Sequence, residues 1–166
     1  MQQFRDDRDA ALASYNEALK LFKDIGAKLG EANVRKAIGD VQQFRDDRDA
    51  ALASYNEALK LFKDIGAKLG EANVYYSRGR MLVVTGQPKE GLAELQNAMD
   101  LFDEIGAISS QANIYMFIGQ VLASSDQKDE AIKMVSQAVA LGEKIDPKHP
   151  VTIYMKDFLQ KLRETQ

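Results

Sequence analysis

The sequence contains no cysteine and no tryptophan, three prolines and a single histidine among its 166 residues. Without cysteine the chain has neither disulfides nor thiolate metal sites, which suits a reducing compartment. No stretch approaches the roughly 18 apolar residues of a membrane-spanning helix, and the first ten residues lack the apolar segment of a signal peptide. The formal net charge of -3 offers no basic face to a nucleic acid. Composition therefore predicts a cytoplasmic protein that binds neither nucleic acid nor a membrane.

Catalytic motifs are also missing from the sequence. It holds no Gly-rich phosphate loop, no nucleophile elbow and no zinc motif. His149 lies between prolines in an expected turn, with no acid or base nearby to work with it. The repeated acid pairs Asp6-Asp7 and Asp46-Asp47 are better explained by helix starts than by a bound cation. We therefore expect no enzyme activity, no metal and no cofactor.

A tandem repeat dominates what is present. Residues 2–34 return unchanged as residues 42–74, an offset of 40. The offset continues in diverged form, with four residue types in register: Gly39, Gly79 and Gly119; Ala18, Ala58, Ala98 and Ala138; Leu21, Leu61, Leu101 and Leu141; and Asn33, Asn73 and Asn113. Such a period is typical of solenoids, in which each unit completes the apolar core of its neighbour.

Each repeat is predicted to hold two amphipathic helices. In the second copy, apolar residues at i, i+3, i+4 and i+7 indicate a longer helix from about Asp47 to Ile65, with Asp47 as its N-cap. A shorter helix is expected from about Gly70 to near Thr85. The apolar stripe of the preceding shorter helix comprises Val34, Ile38, Val41 and Phe44. A Gly inside such a helix costs about 1 kcal/mol relative to Ala, so the recurring Gly indicates that a neighbouring helix comes close.

The spacing of the small residues carries a family resemblance. In each unit a Gly is followed by a small residue 12 positions on, a bulky residue 16 on and an Ala 19 on. The three sets are Gly39, Ala51, Tyr55 and Ala58; Gly79, Gly91, Leu95 and Ala98; and Gly119, Ala131, Val135 and Ala138. This pattern resembles the tetratricopeptide repeat (TPR) family, in the 40-residue, long-helix class of kinesin light chain-like and bacterial regulatory arrays. The resemblance implies an all-α fold, a right-handed α-α superhelix of helix-turn-helix repeats.

The resemblance covers nearly the whole chain and implies a single TPR-like domain over residues 1–166. Its parts would be an incomplete first repeat at 1–30, repeats at 31–70, 71–110 and 111–146, and a capping helix at 147–166. The capping helix follows the cluster Asp146-Pro147-Lys148-His149-Pro150. Six apolar residues would face the last repeat: Val151, Tyr154, Met155, Phe158, Leu159 and Leu162.

The N-terminal repeat differs from the others. By register, Met1 falls in the middle of a shorter helix, so the first unit would lack most of that helix, as in a fragment of a longer array or an edited chain. The longer helix from about Arg8 to Ile25 keeps the core residues Ala11, Tyr15, Ala18 and Phe22 without an upstream partner. We expect a homo-oligomer that forms through this face. A frayed but soluble end is the alternative.

In the TPR family the shorter helices line a concave groove. The resemblance places twelve residues there: Asn33, Lys36, Asp40 and Gln43; Asn73, Tyr76, Arg80 and Val83; and Asn113, Met116, Gln120 and Ala123. An Asn amide both donates and accepts, so the Asn ladder suits an extended peptide, although local bonds at a helix start are the alternative. Tyr76 and Arg80 are the strongest candidates, because Tyr and Arg are enriched at interface hot spots. The family's clamp for chaperone tails is absent.

Two functions remain open at this point. The leading hypothesis is a protein–protein interaction scaffold that binds a peptide or helix of a partner in the groove. The alternative is an engineered or recently duplicated repeat protein with a structural or self-assembly role and no dedicated ligand. The unchanged copy of residues 2–34 fits both recent duplication and deliberate design.

Overall fold

The computed structural model describes the backbone of residues 2–164 and the side chains of residues 8–164. Within this range the chain forms eight helices and no strand, which confirms the predicted all-α repeat fold. The helices are α1 (Gln2–Asp24), α2 (Lys28–Phe44), α3 (Arg48–Asp64), α4 (Lys68–Val84), α5 (Pro88–Glu104), α6 (Ile108–Ser124), α7 (Lys128–Ile145) and α8 (Pro150–Glu164). None of these described helices has the length and apolar character needed to cross a bilayer.

Tight turns built on a left-handed residue join most of the helices. After α3, Gly66 has φ 67°, and the amide of Ala67 donates to the carbonyl of Phe62 at 2.9 Å. This bond satisfies a carbonyl that the helix end would otherwise leave without a partner. Asp46 takes the same conformation after α2, with φ 61°, although it is not a glycine. The next residue, Asp47, then caps α3 as predicted, its side chain accepting from the amide of Ala50.

The chain divides into two compact units, one up to Leu101 and one from Phe102 onward. The first unit contains α1 to α4 and most of α5, and the second contains the end of α5 and α6 to α8. The repeat boundaries at 31–70, 71–110 and 111–146 stay a prediction.

In the first unit, α3 is held between α2 and α4. The ring of Tyr55 lies against Gly39 of α2, where an added Cβ would come within 2.7 Å of ring carbon Cε1. Phe62 lies in the same way against Gly70 of α4, with 2.3 Å between such a Cβ and Cδ1. Both side chains are almost fully buried, and each burial stabilises the fold by about 2–3 kcal/mol. The expectation that Gly39 marks a close helix approach is confirmed.

The second unit repeats this arrangement. Gly119 of α6 meets Val135 of α7, and the core is continued by Met155 and Leu159 of α8. Thr152, which is not among the predicted core residues, is 3% exposed. It occupies the register position of Ala112, one offset of 40 earlier, which is buried as well.

Three predictions from the sequence are wrong. The helices of a repeat are nearly equal in length, since α2 and α3 each have 17 residues and α6 and α7 have 17 and 18. On the capping helix, Val151 and Tyr154 are not buried against the last repeat but are 45% and 52% exposed. Phe44 does not continue the core stripe of α2, because its side chain is 71% exposed.

The start of α1 also differs from expectation. The sequence pattern predicts a helix start near Arg8, whereas the structure has one continuous helix from Gln2. The identical residues Arg45 to Asp47 form the turn between α2 and α3. Met1 lies outside the described residues, as do the side chains of Asp6 and Asp7.

Candidate binding groove between α2 and α4

A cavity of about 420 Å³ lies between α2 and α4 in the first unit. Its lining consists of Lys36, Asp40, Gln43, Phe44, Asn73, Tyr76, Ser77 and Arg80. The structure thus brings together six of the twelve residues that the family resemblance places in the groove. Two of the lining residues were not predicted: Phe44, which its spacing assigns to the core, and Ser77, which no pattern singles out.

A hydrogen-bond network forms the floor of the groove. The hydroxyl of Tyr55 lies 2.8 Å from Asp40 Oδ1 and 3.0 Å from Gln43 Oε1. Lys36 Nζ donates to the other oxygen of Asp40 at 2.7 Å. Burial, followed by the charge of Asp40, raises the pKa of Tyr55 well above its usual value of 10.0. Tyr55 therefore stays a neutral donor that holds the Asp40 carboxylate in place.

An aromatic ring and a guanidinium group form one rim. The guanidinium carbon of Arg80 lies 5.4 Å from the centroid of the Tyr76 ring. Burial raises the pKa of Tyr76, against the opposing effect of Arg80. Arg80 is exposed, whereas Tyr76 is half-buried. Stacking of this kind orients the guanidinium plane, so that less side-chain entropy is lost when a ligand binds.

The remaining groove candidates lie elsewhere. Asn33 is exposed on α2 outside the cavity lining. In the second unit, Asn113 is exposed on α6, Met116 is buried in the core, and Gln120 donates to the hydroxyl of Tyr154 at 3.1 Å. The cavity lining therefore contains candidates of α2 and α4 but none of those of α6.

The Asn residues do not cap their helices. The N-cap positions of α2, α4 and α6 are Ala27, Ala67 and Ala107, and none of the three makes a side-chain cap bond. The Asn ladder lies in the second turn of each helix. Asn73 is the member that lines the cavity.

A partly buried ion pair joins α4 to α5. Arg78 Nη2 lies 3.0 Å from Glu94 Oε1, while Arg78 Nε and Glu94 Oε2 are buried with no partner among the described residues. Desolvation raises the pKa of Glu94, although Arg78 and then Lys63 counteract it. The other repeats carry Ile38 and Ile118 at the register position of Arg78. This departure from the repeat is the sequence feature that could have predicted a special role for Arg78.

The predicted self-association residues lie on α1. Ala11, Tyr15, Ala18 and Phe22 are all half-buried. Phe22 lies against Gly30 of α2, as Phe62 does against Gly70 of α4. The structure thus places the four side chains on one incompletely covered helix.

Comparison with known proteins identifies the family. Two models of the tetratricopeptide repeat match residues 2–64 and residues 112–145, together more than half of the chain. No curated protein matches the sequence. Among solved structures, BtubC (BKLC) from P. vanneervenii superposes with a TM-score of 0.72 at 17% identity, which shows a shared fold. The alignment covers 87% of this chain and 60% of that one. The chain belongs to the tetratricopeptide repeat family.

Proposed function

We propose that the chain is a protein-binding scaffold that holds a peptide or a helix of its partner in the groove between α2 and α4. Tetratricopeptide repeats generally mediate protein–protein interaction and are typically non-enzymatic. The observation that carries the proposal is the cavity of about 420 Å³ with Tyr76 and Arg80 at its rim. A cytoplasmic location, suggested by the cysteine-free composition, belongs to the same proposal.

The groove offers several kinds of contact to a peptide. The rings of Tyr76 and Phe44 supply apolar surface, and the amide of Asn73 supplies both a donor and an acceptor for a backbone. Because these side chains stand on rigid helices, few loops have to be ordered on binding, and the entropic cost is reduced.

The decisive experiment compares binding by groove variants. Proteins retained by the immobilised chain would be identified, and the affinity of each would be measured for the Tyr76→Ala and Arg80→Ala variants. We expect each variant to weaken binding about 10-fold or more, as hot-spot truncations do. Arg48→Ala is the matched control for Arg80→Ala, since Arg48 is exposed and lies outside the cavity. Undiminished affinity in both groove variants would reject this site.

A structural role through self-assembly is the second candidate function. The observation that favours it is the half-buried state of Tyr15 and its neighbours on α1. Association through this surface does not require the groove, so the two functions are tested separately.

A further inference from the structure

The duplicated sequence allows the burial of α1 to be compared directly with that of its copy, α3. Residues 8–24 of α1 and residues 48–64 of α3 are identical. Ala51, Tyr55 and Ala58 of α3 are fully buried, whereas the same side chains of α1 are half-buried. Since the sequences do not differ, the greater exposure on α1 comes from a missing neighbour.

Two further side chains locate the uncovered surface. Leu21 is 64% exposed, but its copy Leu61 is partly buried against the core of the first unit. Ile25 is 74% exposed, against 37% for its copy Ile65. At the start of α2 and α4, by contrast, the copies Leu29 and Leu69 are equally exposed, at 54% and 55%. The additional apolar exposure therefore lies on α1 and on Ile25, the residue that follows it.

The neighbour that covers α3 is a helix. On α2, Gly39 lies under the Tyr55 ring and Asp40 accepts from its hydroxyl. Further along the same interface, Ser54 of α3 donates to Gln42 at 2.7 Å. The surface of α1, identical in sequence, therefore fits a second helix of the α2 type.

The chain itself contains a helix of this type with an uncovered side. By the offset of 40, α8 is in register with α2, α4 and α6, each of which is followed by a partner helix. Tyr154 of α8 is 52% exposed, whereas its register counterparts Val34, Val74 and Ile114 are 9%, 0% and 1% exposed. No helix follows α8 among the described residues.

The uncovered side of α8 forms an apolar stripe. Val151 is 45% exposed, Phe158 and Leu162 pack against the core of the second unit but stay half-buried, and the Phe158 ring lies 6.5 Å from that of Tyr154. Gln160 takes the register position of Asp40, and its amide oxygen can accept a hydrogen bond as Asp40 does from Tyr55. Thus α8 exposes an apolar surface with an acceptor beside it, which suits a helix that carries Tyr15.

We propose that α1 of one molecule packs on α8 of a second copy of the chain, so that molecules associate head to tail. The two surfaces are different, so the contact is heterologous and a dimer still has one uncovered surface of each kind, which allows assemblies larger than a dimer. A single helix–helix contact is smaller than the roughly 1,200 Å² of a stable interface. Leu159 also stands where the inner repeats have Gly, which prevents an approach as close as that of α2 to α3. The association is therefore weak and concentration-dependent.

Complementary variants test the pairing. Leu21→Asp disables the α1 surface and Tyr154→Asp disables the α8 surface, both at exposed positions. In sedimentation velocity, the wild-type chain should show a mass that rises with concentration beyond the dimer. Each variant alone should stay monomeric, whereas an equimolar mixture should form a dimer that does not grow, through the one intact pair of surfaces.

The outcomes separate this proposal from its alternatives. Association of Tyr154→Asp alone at the wild-type level would show that α1 pairs without α8 and would overturn the proposal. A monomeric wild-type chain at millimolar concentration, or a mixture that stays monomeric, would overturn it as well. Leu69→Asp is the control for added charge, because this exposed leucine lies outside both surfaces and should associate like the wild type. Circular dichroism verifies that each variant is folded. Tyr15→Asp on α1 and Val151→Asp on α8 provide a second pair of complementary variants.

Discussion

Arg78 and Glu94 form an ion pair at 3.0 Å in a part of the repeat where the following unit carries Ile118 and Met134. The side chains are 18% and 17% exposed, and one polar atom of each is buried without a partner. Removing two such groups from water costs free energy that a single close contact repays incompletely. The pair is therefore a weak point in the stability of the first unit.

Replacing the pair by the residues of the following repeat should stabilise the chain. We expect Arg78→Ile/Glu94→Met to raise the free energy of unfolding by about 1–3 kcal/mol, measured by urea denaturation. Arg78→Ile alone should lower it by about 1–3 kcal/mol, because Glu94 would be left without its partner. A double variant less stable than the single one would contradict this assignment.

Titration of Glu94 should contribute to the pH dependence of the free energy of unfolding. Its pKa is raised above 4.5 in the folded chain, so the folded state holds this proton more tightly than the unfolded state. The resulting stability is fully present below pH 4.5 and is lost as pH rises through the folded pKa. Glu94→Gln keeps the shape but does not titrate. The free energy of unfolding of the variant minus that of the wild type should therefore increase as pH rises above 4.5, in urea titrations at several pH values. A difference that falls with pH would contradict the sign.

The two copies of the tyrosine offer a controlled test of the groove floor. Tyr55→Phe removes the donor to Asp40 from a fully buried site, and we expect a loss of about 1–2 kcal/mol in the free energy of unfolding. Tyr15→Phe makes the same change in the same local sequence on a half-buried surface, where the loss should stay within about 0.5 kcal/mol. Equal losses in thermal or urea unfolding would show that the hydrogen bond to Asp40 does not account for the effect.

The sequence predicted the helices and the close approach at Gly39, because these follow from repeating local patterns. It did not predict that Arg5 to Asp7 lie inside α1 while Arg45 to Asp47 form a turn. Because the residues are identical, their neighbours in the structure decide whether the segment is helix or turn. The turn requires a left-handed Asp, a cost that packing of α2 on α3 offsets. No described helix precedes α1 to do the same.

The candidate site was predictable in part. Lys36, Asp40, Asn73, Tyr76 and Arg80 come together because their helices share one register. The exposure of Tyr154 and Phe44 could not be predicted. Apolar spacing shows which side of a helix suits burial, but it does not show whether a neighbouring helix covers that side. The Arg78–Glu94 pair breaks the pattern of the other repeats, and only the structure shows that both partners are largely buried.

In the turn between α2 and α3, substitutions of the adjacent residues Asp46 and Asp47 should change stability in opposite directions. Asp46 has φ 61°, a conformation that costs an L-residue about 1 kcal/mol and costs glycine little, so Asp46→Gly should stabilise the chain by about 0.5–1 kcal/mol. The exposed ion pair with Arg48 that is lost contributes little. Asp47 instead accepts from the amide of Ala50, so Asp47→Ala should cost about 1 kcal/mol. Thermal unfolding monitored by circular dichroism should place the midpoints of the two variants on opposite sides of the wild type. Shifts in the same direction would mean that backbone strain at Asp46 does not control the stability of this turn.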